Sequence, residues 1–457
     1  MDTVLSANKA PEAAKAGAAT TRKVRTDYHL WGTYVLLVII AVIELFSASI
    51  QEVTGGDIFR PVVRHGAFLV GGLVIMLVFQ HIHYRYIYGL IPVFVLGCLG
   101  LMVMVHFAGS EGTINDAKRA INIAGIQLLP ADMLKLAVAL GMAWILTRNQ
   151  QKGKNKRDVT TRGMWYSMIF LTVCAGLLFE HGLSNTLIVC AIGFSMMLIG
   201  GMSLKKIMLC MLIFGVLGGT ALVLKMTSKP DPAVTERQER VAALNGTRTD
   251  SIVGAGRGTV WNSRITNHLR PNKHLEPFST DKQQEQLSYI AQAHGGLIGV
   301  GVGRSRENAR LPLAYSDYIF AIVIEELGLF AGLLILGVYM WILGRSAKLT
   351  MRFKQTLPAV LAMGCAFTIV FQALYHMAIV SGVFPVSGQP LPLISKGGIS
   401  VLATSMAFGI MLSVARHAVR VTDTRAEARH EQDLLPDSAV ADNPAMLLPS
   451  PTESDKQ

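Results

Sequence analysis

Ten apolar stretches of roughly 20 residues recur along the chain, near 29–50, 61–82, 86–108, 129–147, 164–182, 184–202, 206–225, 318–343, 357–382 and 398–416. A helix rising ~1.5 Å per residue needs about 20 apolar residues to cross a hydrocarbon core of ~30 Å. Ten such runs do not fit inside a water-soluble core, and the chain is 51% hydrophobic and only 16% charged over its 457 residues. The recurrence predicts an all-α polytopic membrane protein with about ten transmembrane helices. The residues before the first run are polar, which does not resemble a cleavable signal, so the first span is expected to be retained.

Orientation follows from where bases collect in the short loops. The segment "RNQQKGKNKRDVTTR" (148–162) holds six Lys or Arg against one acid, and Arg420, Arg425 and Arg429 follow the last span. Both termini are therefore expected in the cytoplasm, with 1–28 and 418–457 as disordered tails flanking a transmembrane domain over 29–417. Much of the net charge of +12 is accounted for by this topology and by contact with anionic lipid, so no nucleic-acid partner is expected. The five cysteines all sit in apolar spans without paired spacing, as small buried hydrophobes.

The segment 226–316 is too polar to cross the bilayer and is placed outside as a long extracytoplasmic loop. It carries twelve Lys or Arg and eight Asp or Glu. Its last third, "EQLSYIAQAHGGLIGVGVGRS" (285–305), predicts a short amphipathic helix followed by a flexible turn. No preceding strand supports a nucleotide-binding reading of those glycines. Chemistry must come from the spans and their outer loops.

An ionisable group within a span is costly unless it faces protein, water or a partner. Glu44 interrupts the first span, Arg64 opens the second, and Glu180 and His181 close the fifth. Asp132 and Lys135 lie three apart on one helix face, where they can pair. Asp317 falls at the outer mouth of its helix, where it and Ser316 could cap the first turn. Glu325 and Glu326, deeper in the same span, call for a protein-lined interior. Between the last two spans, "SGVFPVSGQPLPLISKGGISVLATS" (381–405) is dense in Pro and Gly, which predicts an ordered loop or broken helix with Lys396 at its rim.

Taken together, these segments resemble the SEDS family, the group of FtsW, RodA and SpoVE. The family's acidic motif, close to His-Thr-Asp-Phe-Ile-Phe-Ala followed by Glu-Glu-Leu-Gly, is matched by "YSDYIFAIVIEELG" (315–328). The late signature, Pro-x-x-Gly-x-x-Leu-Pro-Phe-Ile-Ser-Tyr-Gly-Gly-Ser-Ser, is matched by "PVSGQPLPLISKGGIS" (385–400). Weaker matches are "SAS" (47–49), "RHG" (64–66), "IQLLPADMLKL" (126–136) and "GVGRS" (301–305). Departures include Lys396 for the family Tyr, Ala120 for Trp, Asp132 for Glu, His376 for Asn and "EHGLSNT" (180–186) for a Pro-Asp-Leu-Gly region.

The resemblance implies a membrane-embedded peptidoglycan glycosyltransferase. It would polymerise lipid II into β-1,4 glycan strands by inverting transfer, with undecaprenyl pyrophosphate leaving. FtsW-like division at the septum of the plasma membrane is the nearer role, and RodA-like elongation the alternative. Asp317 is the implied base. Arg64, Arg119 and Lys135 are the pyrophosphate or cavity candidates, with Arg257, Arg264 and Lys396 behind them. Asp132, Glu325 and Ser288 are supporting residues. The implied partners are a class B penicillin-binding protein transpeptidase and other division-machinery membrane proteins. No particular cofactor is implied, and a divalent cation, Mg or Mn, is left open. The rival readings are a lipid II flippase and a scaffold without turnover.

Overall fold

The computed structural model describes residues 26–48, 59–107, 113–114, 117–118, 121–123, 126–150, 158–179, 182–227, 264–266, 268–269, 278, 283–353 and 355–418. The two tails and most of the long loop, Arg119, Arg257, Glu180 and His181 included, lie outside them.

The helices follow the apolar runs. They are α1 (Tyr28–Ala48), α2 (Phe59–His81), α3 (Tyr84–Phe107), α4 (Pro130–Arg148), α5 (Thr161–Phe179), α6 (Leu183–Ile199), α7 (Leu204–Thr227), α8 (Gln283–Gly295), α9 (Ile319–Thr350), α10 (Thr356–Val380) and α11 (Gly398–His417). Eight of the described helices are long and apolar enough to cross a membrane, and α1 and α6 are shorter apolar helices within the described residues. Helix α8 is the predicted amphipathic helix of the long loop. The sequence patterns single out no element between α3 and α4. Two short antiparallel hairpins lie there, pairing Thr113–Ile114 with Ala117–Lys118 and Ile121–Ile123 with Ile126–Leu128.

Within a bilayer, helix association relies on close packing and interhelical hydrogen bonds, because lipid tails are as apolar as the helices. Helix α11 illustrates this against α2. A Cβ at Gly409 would lie 2.9 Å from the carbonyl oxygen of Met76, and one at Gly72 would lie 3.3 Å from Cβ of Ser405. Backbone therefore meets backbone along this pair. The apolar window of α11 is 89% buried and that of α4 78%, whereas that of α7 is 11% buried. Helices α4 and α11 form the centre, and α7 lies at the periphery.

Two sequence expectations require correction. Helix α9 is not one continuous helix, because Gly328 inside it has φ 86° and ψ 170°. The amides of Val300 and Gly301 donate to the carbonyls of Glu325 and Glu326 (3.0 and 2.9 Å), and those of Leu329 and Phe330 donate to Gly296 and Leu297 (3.0 and 3.3 Å). The segment expected to be a flexible turn is thus stitched to the break and satisfies the carbonyls it frees. Glu325 and Glu326 sit on the buried short piece before Gly328, while Leu329, Phe330, Leu333 and Leu334 after it are exposed. They lie in a protein-lined interior, as expected, but not deeper in the exposed span. Second, Tyr318, not Ser316 or Asp317, is the N-cap residue of α9, and it makes no side-chain cap bond. Asp317 lies outside the helix and is not held there as a cap.

Candidate active site

Helices α2, α4, α9 and α11 all begin at one end of the bundle, and the first turns of α4 and α11, the segment leading into α9 and the second and third turns of α2 surround a cavity of about 400 Å³. A helix N-terminus carries partial positive charge from its unpaired amides, so this convergence favours anions. The lining combines Arg64, His65 and Phe68 from α2, Leu129 and Asp132 at the start of α4, and 313–317 preceding α9. The far wall comes from Gly388, Pro390 and residues 396–400, leading into α11. Four candidates scattered over the sequence, Arg64, Asp132, Asp317 and Lys396, thus meet in one chamber. Arg64 is exposed, and Asp317 and Lys396 are half-buried.

Asp317 is fixed by the backbone around it. Its amide and that of Ser316 donate to the carbonyl of Leu313 (3.0 and 3.1 Å), in a turn where Leu313 holds φ 57°. The Ser316 hydroxyl donates to Asp317 Oδ1 (3.1 Å). On the opposite side, Gly388 brings its backbone against the carboxylate, and a Cβ there would stand 2.6 Å from Oδ2. A side chain at 388 would therefore have to move either the carboxylate or the loop.

The Pro- and Gly-rich loop that carries Gly388 is pinned from below. Lys135 is fully buried and donates to Asp132 Oδ1 (2.8 Å), Gln389 Oε1 (2.9 Å) and Gln372 Oε1 (3.3 Å). The Gln389 amide donates to Asn185 (3.0 Å), His376 Nδ1 donates to the Gln389 carbonyl (2.6 Å), and Gln372 donates to the Pro390 carbonyl (3.0 Å). The expected Asp132–Lys135 pair therefore exists, with only its Asp facing the cavity. Lys135 is not among the lining residues and braces the loop through Gln389.

The remaining candidates take other places. Arg264 donates to the Val386 carbonyl at 3.1 Å, bracing the same loop. Burial lowers the pKa of its guanidinium, and nearby Tyr318 and Asp317 oppose that shift. Burial likewise raises the phenol of Tyr318, with Asp317 and Glu285 adding to the effect. Ser288 is buried and donates to the carbonyl of Val380 (3.1 Å), joining α8 to α10. Glu325 accepts from His294 Nδ1 (2.9 Å), from the Ser305 hydroxyl and from the Arg306 amide (3.0 Å), which organises the loop before α9. Neither Ser288 nor Glu325 lines the cavity.

Tyr315, His65 and Ser400 line the chamber without having been singled out from the sequence, and Ser316, expected there only as a helix cap, lines it as well. Each is adjacent to, or within a few residues of, a residue that was, and that proximity was the available signal. Mg²⁺ is usually bound through one or two carboxylates plus substrate phosphates, and Asp132 and Asp317 are the carboxylates of this lining. Among the described residues no group of three or more His, Cys, Asp or Glu could hold a metal ion. A second, apolar cavity of about 710 Å³ lies among α3, α5, α6 and α7, lined by residues such as Gly176, Leu187, Phe214 and Gly218.

Fold and site define a class, a polytopic helical membrane protein with a charged chamber where four helices begin. The chain belongs to the FtsW, RodA and SpoVE family, whose model, described as cell cycle protein, matches residues 27–420. Among its relatives is a probable peptidoglycan glycosyltransferase FtsW of Geobacter metallireducens, 28% identical over 384 residues, covering 83% of this chain and 92% of that one. Stage V sporulation protein E of Bacillus subtilis is 26% identical over 404 residues, covering 87% and 99%. The same fold occurs in a peptidoglycan synthase complex that coordinates polymerization and crosslinking, with TM-score 0.59, 21% identity, and coverage of 86% of this chain and 98% of that one. The rod shape determining protein RodA of Thermus thermophilus gives TM-score 0.57 at 18% identity, again covering 86% and 98%.

Proposed function

We propose that this chain is a membrane-embedded glycosyltransferase that polymerises lipid II into β-1,4-linked glycan during septal wall synthesis, with the chamber facing outward and both termini in the cytoplasm. The observation that carries the reading is the meeting of Asp317 with Arg64 and Lys396 in one cavity at converging helix N-termini. The transfer needs one base and cationic support for a leaving pyrophosphate, and this lining supplies both kinds of group.

In this reading the acceptor sugar's 4-hydroxyl attacks the anomeric carbon of the donor. Its proton passes to the Asp317 carboxylate as the new C–O bond forms. The bond from the anomeric carbon to the pyrophosphate oxygen breaks, and the electron pair leaves on the pyrophosphate, next to Arg64 and Lys396. Attack opposite to departure inverts an α-linked donor to a β product. A divalent ion carried by the substrate would add charge neutralisation beside Asp132 or Asp317, and no step depends on it. The apolar cavity among α3, α5, α6 and α7 is of a size to take isoprenoid chain.

The synthase complex that coordinates polymerization and crosslinking supports a crosslinking partner, which in this reading is a class B penicillin-binding protein transpeptidase. The test is polymerisation of purified lipid II by the full chain with that partner, comparing wild type with Asp317→Asn. Loss of polymer on retained fold supports the reading. Glycan made at the normal rate by Asp317→Asn removes the base assignment, and lipid exchange between leaflets without polymer makes the protein a flippase.

A further inference from the structure

We propose that Tyr315 is a positioning residue that works through Lys396, its ring holding the ammonium at the chamber wall where a pyrophosphate must bind. The inference rests on the glycosyl-transfer reading above and assigns a role to a residue that reading does not use.

Both side chains line the chamber with Asp317 and Arg64. The Lys396 ammonium stands 5.3 Å from the centroid of the Tyr315 ring, within the range where a ring's negative face attracts a cation. The two residues are also joined through the main chain. The Lys396 amide donates to the Tyr315 carbonyl (3.0 Å), and next to it the Ser395 hydroxyl donates to the Ser316 carbonyl (2.8 Å). The same Ser395 oxygen accepts from the Leu391 amide (2.6 Å).

Each of the two loops also carries a strained residue close to the pair. Leu313 has φ 57° and Leu393 has φ 66°. A bulky side chain rarely adopts the left-handed region, and such strain persists where the surroundings over-determine it, often at functional sites. The turn at Leu393 is held by the Ser395 amide on the Leu391 carbonyl (2.9 Å) and by the Tyr339 hydroxyl of α9 on the Pro392 carbonyl (2.6 Å). Leu313 presents its carbonyl to Ser316 and Asp317.

Chemistry explains why a ring belongs beside this lysine. A lysine ammonium is a compact, strongly hydrated charge on a flexible four-carbon stem, and left to itself it would sample water across the chamber mouth. The ring's pull on the cation is weak compared with that of a doubly charged pyrophosphate. Tyr315 therefore confines the ammonium without competing for it once phosphate arrives.

The experiment is lipid II polymerisation by the full chain with its transpeptidase partner, for wild type, Tyr315→Leu, Tyr315→Phe, Lys396→Met and Tyr315→Leu/Lys396→Met. Inhibition by added undecaprenyl pyrophosphate and thermal unfolding are measured on each. We expect kcat/KM to fall on the order of 100-fold in Lys396→Met, as for loss of a group aimed at developing charge, and about 5- to 10-fold in Tyr315→Leu, the size of a cation–ring contact. The double variant should be no worse than Lys396→Met. Tyr315→Phe, which keeps the ring, should recover most of the loss, and Tyr315→Leu should need several-fold more pyrophosphate product for inhibition. Additive losses in the double variant, a Phe variant as poor as Leu, or Tyr315→Leu equal to wild type each overturn the proposal. If Asp317→Asn abolishes polymer while Tyr315→Leu changes nothing, only this inference falls. If wild type makes no polymer, the glycosyl-transfer reading falls with it.

Discussion

Gly388 lies so close to Asp317 that a single added carbon would stand 2.6 Å from the carboxylate Oδ2. Real Cβ contacts essentially never fall below 3.0 Å, so Gly388→Ala must displace either the loop or the acid. Misplacement of a reacting group by about 1 Å can cost on the order of 100-fold in rate. Gly388→Ala is expected to lower the polymerisation rate by about that factor with little change in the unfolding temperature, read by glycan synthesis and by thermal unfolding in detergent. A normal rate would show that the loop moves away freely and that the proposed base is not held by this contact.

Lys135 is expected to matter for both stability and rate, although it does not line the chamber. Removing one member of a buried ion pair leaves the other uncompensated and costs about 3–5 kcal/mol. Lys135→Met would leave Asp132 in that state and would free Gln389 and Gln372 from their shared anchor. The unfolding temperature should fall clearly, and the activity remaining per folded molecule should fall as well, because the loop carrying Gly388 loses a pin. In the double variant Lys135→Met/Asp132→Leu, most of the stability should return without the activity. That split would separate the loop-positioning role from the electrostatic one.

How much of this could be read from the sequence differs between the fold and the site. Spans announced themselves because a bilayer demands length and apolarity together, and the ten runs reappear as helices with ends displaced by a few residues. Asp317, Arg64, Asp132 and Lys396 were legible because a charge at the edge of an apolar run stands out. Lys135 stood out for the same reason, but spacing alone does not say which side of an ion pair faces a cavity. Tyr315 was hidden because an aromatic residue at a membrane boundary is ordinary. The break at Gly328 was hidden because a lone glycine in an apolar run is compatible with helix. The amides of 300–301 and the carbonyls of 296–297, distant in sequence, supply the partners that the break needs.

Glu44 and Glu326 meet in the interior between α1 and the first piece of α9, at 0% and 1% exposure. Ser47 donates to Glu326 Oε1, and among the described residues neither carboxyl oxygen of Glu44 has a hydrogen-bond partner. A buried polar group without a partner costs about 1–3 kcal/mol, and replacing buried ionisable groups with well-packed apolar ones is often neutral or stabilising. Glu44→Leu is therefore expected to raise the unfolding temperature, and Glu44→Gln to do so less, because its amide brings new donors that need partners. A marked loss of stability in Glu44→Leu would show that the carboxyl is bonded to something that contributes to the fold.

At the opposite end of the bundle, Asp27 joins α1 to α9. Its Oδ1 accepts from the amides of His29 and Leu30 (3.1 and 3.3 Å), capping the first turn of α1. The Arg345 guanidinium adds bonds from Nε to Oδ1 and Oδ2 (3.2 and 3.0 Å) and from an Nη to Oδ2 (2.9 Å). Asp27 is nearly fully buried and Arg345 is 23% exposed at its side chain, so the pair is shielded on one side. Lysine keeps the charge but not the planar fork. Arg345→Lys is thus expected to lower the unfolding temperature by a modest step and Arg345→Ala by a larger one, because alanine leaves the buried carboxylate without a counter-charge. Asp27→Asn should retain much of the cap while losing the charge-assisted bonds. The chamber is built from the other ends of α9 and α11, so all three variants should polymerise glycan at the normal rate per folded molecule. A loss of rate without a loss of stability would instead show that the two ends of α9 are mechanically coupled through its break at Gly328.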